Sequence, residues 1–145
     1  MGQRGVALNI AHDRYTPGDT AKGFAAANRR TGLAVLIETE DGIRNIDAIA
    51  ATKGVDCPWI GHFDLSCSLG IPGQFDHTDF KKASSRVNRA ARKHDRALGC
   101  LAGTPEETIA LHRQGYDLLC YSGVIWVYQQ ALIQGISAIR NECKG

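Results

Sequence analysis

The apolar positions of this chain fall into short continuous runs separated by amphipathic stretches. Leu33 to Glu38 is an apolar run carrying the β-branched residues Val35 and Ile37, which predicts a strand. After a turn over Thr39 to Gly42, Ile43, Ile46, Ile49 and Ala50 recur at helical spacing. Lys53-Gly54 closes that helix, and Val55 to Gly61 reads as a second strand whose Pro58 predicts an edge-like or irregular start. A Gly- and Pro-bearing loop is expected from Asp64 to Thr78. A polar helix follows from Asp79 to about Asp95, with Phe80, Ala83, Val87, Ala90 and Ala91 on its apolar side.

Ala97 to Leu101 is the third expected strand. Thr104-Pro105-Glu106-Glu107 marks a helix start: a capping threonine, a proline in the first turn and two acids facing the positive end of the dipole. That helix ends at Gly115; Tyr116 to Tyr121 is the fourth strand, Ser122-Gly123 the turn, and Ile125 to about Asn141 the last helix. Four strand-helix pairs in succession predict an α/β fold with parallel strands, because consecutive parallel strands need a helical crossover. A complete (β/α)8 barrel takes about 250 residues. The 145 residues here therefore leave room for half of one, and residues 1–145 are expected to form a single partial domain.

Composition adds limits. With 43% hydrophobic and 22% charged residues the chain can build a core, which argues against disorder. A formal net charge of +2 is too small for a nucleic-acid footprint, so the basic residues between Lys81 and Arg96 read as the wet face of a helix. No apolar stretch approaches bilayer length and no signal segment is visible, so no membrane association is expected and the cytoplasm is the expected location. The five cysteines include no C-x-x-C pair and read as reduced thiols, with Cys100 and Cys120 as small buried hydrophobes.

Candidate chemistry sits where two apolar runs end on a carboxylate. Ala34-Val35-Leu36-Ile37 delivers Glu38, and Trp59-Ile60-Gly61-His62-Phe63 delivers Asp64. In an α/β barrel the carboxyl-terminal rim of the strands is where chemistry is done, and two acids there suggest a divalent metal. A single acid at a strand end is more often a cap or a surface charge. Glu40 and Asp41 read as helix-start acids. His62, beside the second acid, is a candidate general base or ligand, whereas His12, His77, His94 and His112 read as surface or capping residues. Arg4 either meets a substrate anion or holds a backbone turn. The loop from Ser66 to Phe75 with Trp126 and Tyr128 is a candidate pocket lining, and the alternative for the two aromatics is core packing against the next helix.

Several segments together carry a resemblance: Ile37-Glu38-Thr39, Asn45 to Ile49, Gly54-Val55-Asp56, Trp59 to Ser66, and Ser68-Leu69-Gly70. With Arg4 to Ala7, Ala27-Asn28, His77, Gly115 and Ser122-Gly123, this set resembles the HpcH/HpaI aldolase/citrate lyase family. The resemblance implies a TIM-barrel, class II pyruvate aldolase, usually oligomeric. Such an enzyme uses Mg²⁺ or Mn²⁺ to make or break a carbon-carbon bond beside a 2-keto acid through a pyruvate enolate, with an aldehyde as the second substrate. It further implies Glu38 and Asp64 as metal ligands, and Gly61, Phe63 and Asp64 as the turn that holds the pyruvate carboxylate. Many relatives are expected to have proline at the position of His62.

Two departures stand beside these matches. The family's proton-transferring histidine and carbonyl-polarising arginine would lie on strands before Met1, so this chain is expected to be the C-terminal half. Where the family commonly has Gly-x-Asp, the chain has Gly123-Val124-Ile125. Three readings remain open: a part of a longer aldolase, a half-barrel completed by a second copy or a partner chain, and a non-catalytic binding module.

Overall fold

The computed structural model describes Ala7, Ile10, Ala11, Tyr15 and residues 18–143; Arg4 and His12 lie outside the described residues. The chain divides into two compact units, Met1–Gly32 and Leu33–Gly145. In the first, helix α1 (Thr20–Arg30) was not among the expected elements. Asp19 caps it by accepting the Lys22 amide, and Arg29 and Arg30 occupy the last turn, where the dipole favours cations.

The second unit holds the sheet. Strands β1 (Ala34–Ile37), β2 (Cys57–Ile60), β3 (Gly99–Ala102) and β4 (Leu118–Tyr121) run parallel in the order β1-β2-β3-β4. Between them lie α2 (Glu40–Arg44), α3 (Ile46–Ala51), α4 (His62–Ser68), α5 (Thr78–Lys93) and α6 (Pro105–Arg113), with α7 (Val124–Glu142) after the last strand. The fold is α/β with parallel strands, as the alternation of runs predicts.

Helix α5 buries all five of its predicted apolar positions. With Ile37, Ile46, Ile60, Leu65 and Leu98 they form one core between helices and sheet. Lys93 and His94 both reach the Asp47 carboxylate, at 2.9 and 3.1 Å, and Arg96 donates to the Ala50 carbonyl, so polar contacts fasten α3 to α5 around that core. The hydrogen bonds from Lys93 and His94 hold the Asp47 carboxyl below its ordinary value, the Lys93 bond contributing most.

Four local expectations are corrected. The single helix after β1 is broken in two: Thr39 caps α2, and Asn45 leaves helical geometry while its side-chain amide bonds back to the Asp41 carbonyl. β2 is a central strand, although it contains Pro58. Cys57 and Gly61 donate their amides toward β1, so the alternate position of Pro58 faces β3, where pairing starts only at Trp59. The loop expected from Asp64 opens instead as α4, anchored by fully buried Leu65 and half-buried Leu69 one turn apart. Cys120 is exposed, because β4 is the last strand of the sheet and has a strand on one side only among the described residues.

Helix α7 has no buried residue; Val124, Ile125, Trp126, Val127 and Tyr128 all stand exposed. Trp126 and Tyr128 therefore do not pack in the core. No helix among the described residues is long and apolar enough to cross a membrane.

The burial pattern predicts thiol reactivity. Cys67, Cys120 and Cys143 are exposed, whereas Cys57 and Cys100 are buried, with burial pushing Cys100 up to about 11. Titration with a disulfide reagent at neutral pH is expected to modify the first three rapidly and the other two only after denaturant is added. Rapid modification of Cys100 in the native chain would contradict this packing.

Candidate active site

Glu38 is the first residue after β1, and Gly61 the first after β2. Ile37 lies opposite Ile60 in the parallel register, and the Gly61 amide donates to the Ile37 carbonyl at 3.2 Å. Both strands therefore release the chain side by side. The Glu38 side chain leans directly over Gly61: a Cβ built on that glycine would lie 2.6 Å from Glu38 Cγ and 2.9 Å from Oε1. Glycine here is a spatial requirement, since any larger residue would push the carboxylate off the turn.

The chain then enters α4 directly. Gly61 is the N-cap and offers no side-chain cap, while Leu65 closes the first turn by donating to the Gly61 carbonyl at 2.9 Å. The amides of His62, Phe63 and Asp64 have no intrahelical acceptor, as at every helix start, and the Asp64 carboxylate belongs to that first turn. Among the described residues, neither Glu38 nor Asp64 is paired with a cation. Two unpaired carboxylates from adjacent strand ends are hard oxygen donors of the kind a small divalent cation takes, the remaining positions falling to water or substrate. No group of three or more His, Cys, Asp or Glu is placed to hold a metal ion among the described residues.

His62 is half-buried, with its ring 4.9 Å from that of Phe63 and 5.1 Å from that of Phe75; Phe63 and Phe75 meet edge-to-face at 5.0 Å. Burial pushes the imidazole below its ordinary value, and the carboxylates of Glu107 and Asp64 oppose that shift. The ring is a wall of the aromatic cluster beside Asp64.

Glu107 is the rim residue that the sequence presented only as a dipole acid. Its Oε2 accepts the Gly103 amide at 2.7 Å while Thr104 Oγ1 accepts the Glu107 amide at 3.1 Å, a reciprocal cap at the end of β3. The T-x-x-E spacing held that signal. His77 caps α5, and Glu40 and Asp41 fill the first turn of α2, as expected.

The loop after α4 is pinned from below. Ser66, fully buried, donates to the Phe63 carbonyl at 2.7 Å and accepts the Gly73 amide at 2.9 Å. One hydroxyl thus joins the Asp64-bearing turn to the segment that carries Phe75.

Carboxylates, unpaired amides and a reciprocal cap gathered on the carboxyl edge of a parallel sheet define an α/β strand-end site of the barrel-enzyme type. The chain belongs to the HpcH/HpaI aldolase/citrate lyase family, whose profile matches residues 8–120. Over 130 residues it is 40% identical to the 5-keto-4-deoxy-D-glucarate aldolase of Shigella boydii, a match covering 90% of this chain and 50% of that protein. Among solved structures it resembles an HpcH/HpaI aldolase/citrate lyase family protein from Burkholderia cenocepacia, with 31% identity and a TM-score of 0.82, covering 96% of this chain and 53% of that one. It also resembles the HpcH/HpaI aldolase of Desulfitobacterium hafniense, with 28% identity and a TM-score of 0.83, covering 96% and 54% of the two chains. The chain spans about half the length of these TIM-barrel-like relatives.

Replacing buried Ser66 with alanine removes both of its part-buried hydrogen bonds, the one it donates to the Phe63 carbonyl and the one it accepts from the Gly73 amide. Ser66→Ala is expected to lower unfolding stability by about 1–3 kcal/mol in urea and to speed amide exchange at Gly73. Unchanged stability and exchange would show that the loop is held by other contacts.

Proposed function

We propose that this chain carries the metal-binding side of a class II pyruvate aldolase site, with Glu38 and Asp64 as the protein ligands of Mg²⁺ or Mn²⁺. The carrying observation is the seat that Gly61 leaves for the Glu38 carboxylate, at the turn leading into Asp64. A bound divalent cation supplies Lewis acidity that offsets the negative charge developing on the 2-keto oxygen as the carbon-carbon bond breaks. The chain's own groups orient the donor. The Phe63 and Asp64 amides, beyond Gly61, donate hydrogen bonds to the pyruvate carboxylate, as helix-start amides do for anions. Phe63, Phe75 and His62 shield the reacting carbon from water. The substrate class is a 3-deoxy-2-keto acid or its aldehyde and pyruvate halves, in keeping with the names of the relatives.

The test is Mn²⁺ binding, with exchange of pyruvate methyl protons into deuterated water as the chemical readout. Wild-type chain is expected to bind Mn²⁺, and Glu38→Gln or Asp64→Asn to weaken it by more than about tenfold. Gly61→Ala is expected to weaken binding while leaving thermal stability nearly unchanged, because the Cβ displaces a flexible side chain rather than backbone. Proton exchange by the chain alone is expected to be slight. Mn²⁺ affinity untouched by both carboxylate substitutions would sink the assignment.

A second reading accompanies the first: the working form is a half-barrel completed by another chain. The apolar, unburied α7 favours it, as do β1 and β4, each of which has a strand on one side only among the described residues. Sedimentation is expected to show a defined oligomer, and a compact, cooperatively folded monomer would exclude it.

A further inference from the structure

The Ser66-Cys67-Ser68-Leu69-Gly70 segment carries two hydroxyls, and they do different things. Ser66 bonds only to the Phe63 carbonyl and the Gly73 amide, on its own side of the site. Ser68 reaches across: its Oγ accepts the Glu40 amide at 3.0 Å, 28 residues away in sequence. Glu40 opens α2, and its amide is one of the donors that a helix start leaves without an internal partner. Thr39 Oγ1 is already engaged by the Gly42 amide. Ser68 therefore supplies an acceptor that the local cap does not.

The consequence lies in what stands between these bonds. The short turn from Ile37 to Glu40 is fastened at one end by the Gly61 amide on the Ile37 carbonyl and at the other by Ser68 on the Glu40 amide. Glu38 sits between the two fastenings. Both fastenings lead back to the Gly61 to Ser68 segment, whose first helical turn carries Asp64. Without the Ser68 bond the exposed turn would keep its anchorage in α2 but lose its direct tie to α4 at that end, and the Glu38 carboxylate would sample more positions relative to Asp64. Ligands are useful only when their supports hold them within a fraction of an ångström.

We infer that Ser68 is a positioning residue: its hydroxyl sets the Glu38-bearing turn against α4 and so fixes the relative placement of the two carboxylates. This rests on the assignment of Glu38 and Asp64 as metal ligands. Ser68 is exposed, so its removal strands no buried group, and its effect falls on ligand placement more than on folding.

The test uses the whole chain with Mn²⁺ as probe, in wild type, Ser68→Ala and Ser68→Thr, with amide exchange at Glu40 and a thermal melt as companion readouts. Ser68→Ala is expected to weaken Mn²⁺ binding about tenfold and to speed exchange at Glu40, with the melt close to wild type. Ser68→Thr keeps the acceptor and is expected to restore both. Should alanine perturb the melt, the threonine variant decides: wild-type affinity and slow Glu40 exchange support the role, and a tenfold loss despite slow exchange overturns it. Wild-type affinity in Ser68→Ala alongside fast Glu40 exchange also overturns it and leaves the metal assignment intact. Absence of Mn²⁺ binding in the wild-type chain overturns the metal assignment itself, and this inference with it.

Discussion

The site depends on the parallel ladder between β1 and β2. Parallel pairing sends both strands out of the sheet on the same edge, whereas an antiparallel pair would place their carboxyl ends at opposite edges. Ile37 and Ile60 face each other in register at 2% and 1% exposure, and the Gly61 amide extends the ladder by one bond onto the Ile37 carbonyl. A slip of β1 by one residue would turn Ile37 out of the core and Glu38 into it, so burial of Ile37 beside Ile60 fixes where the carboxylate emerges. The carboxylate-bearing edge is thus a by-product of apolar packing. The Glu38 seat and the Asp64 turn inherit their positions from that register, and the Gly103–Glu107 cap takes its own from the pairing of β3 with β2.

Much of this was legible in the chain because it is local. Each strand was located to within two residues at its start, the α5 face was read residue by residue, and the Thr104 start was recognised from its capping chemistry. What escaped was set by distant partners. Whether Pro58 can sit in a central strand depends on which neighbour its missing amide faces, and that is decided by where β3 begins to pair. Cys120 lies in an apolar run, but the run is exposed because the described sheet ends there. Helix α4 spans only 7 residues, too few for a periodic pattern, and Leu65 and Leu69 declare themselves only once a core lies beneath them.

The candidate site divides along the same line. That Glu38 and Asp64 end strand-like runs could be read directly, and the family resemblance gave them a shared purpose. That Gly61 clears room for one of them could not, because a glycine at a strand end reads first as a turn former. The hydroxyls of Ser66 and Ser68 were visible only as part of a motif. Their separate partners, Gly73 and Glu40, belong to segments brought together by folding. Sequence reasoning therefore found the groups able to do chemistry and missed those that hold them still.

The far side of the sheet argues for what the site still requires. β1 and β2 are followed by packed helices, and their edge carries the two unpaired carboxylates. β4 is followed by α7, which buries nothing although it is rich in isoleucine, valine and aromatic residues, and Val124 at its start is 88% exposed. An isolated domain seldom leaves so long an apolar helix bare, because apolar surface removed from water is the main source of folding free energy. The chain spans about half the length of its relatives, and among the described residues both outer strands of the sheet are paired on one side only. A surface that closes over α7 and continues the sheet would dry the edge beside Phe63 and Phe75 and strengthen every charge interaction there, since electrostatic attraction grows as water is excluded. Placement of the two carboxylates and burial of the outer face are separate tasks, the first met by the β1–β2 ladder and the second left open at α7.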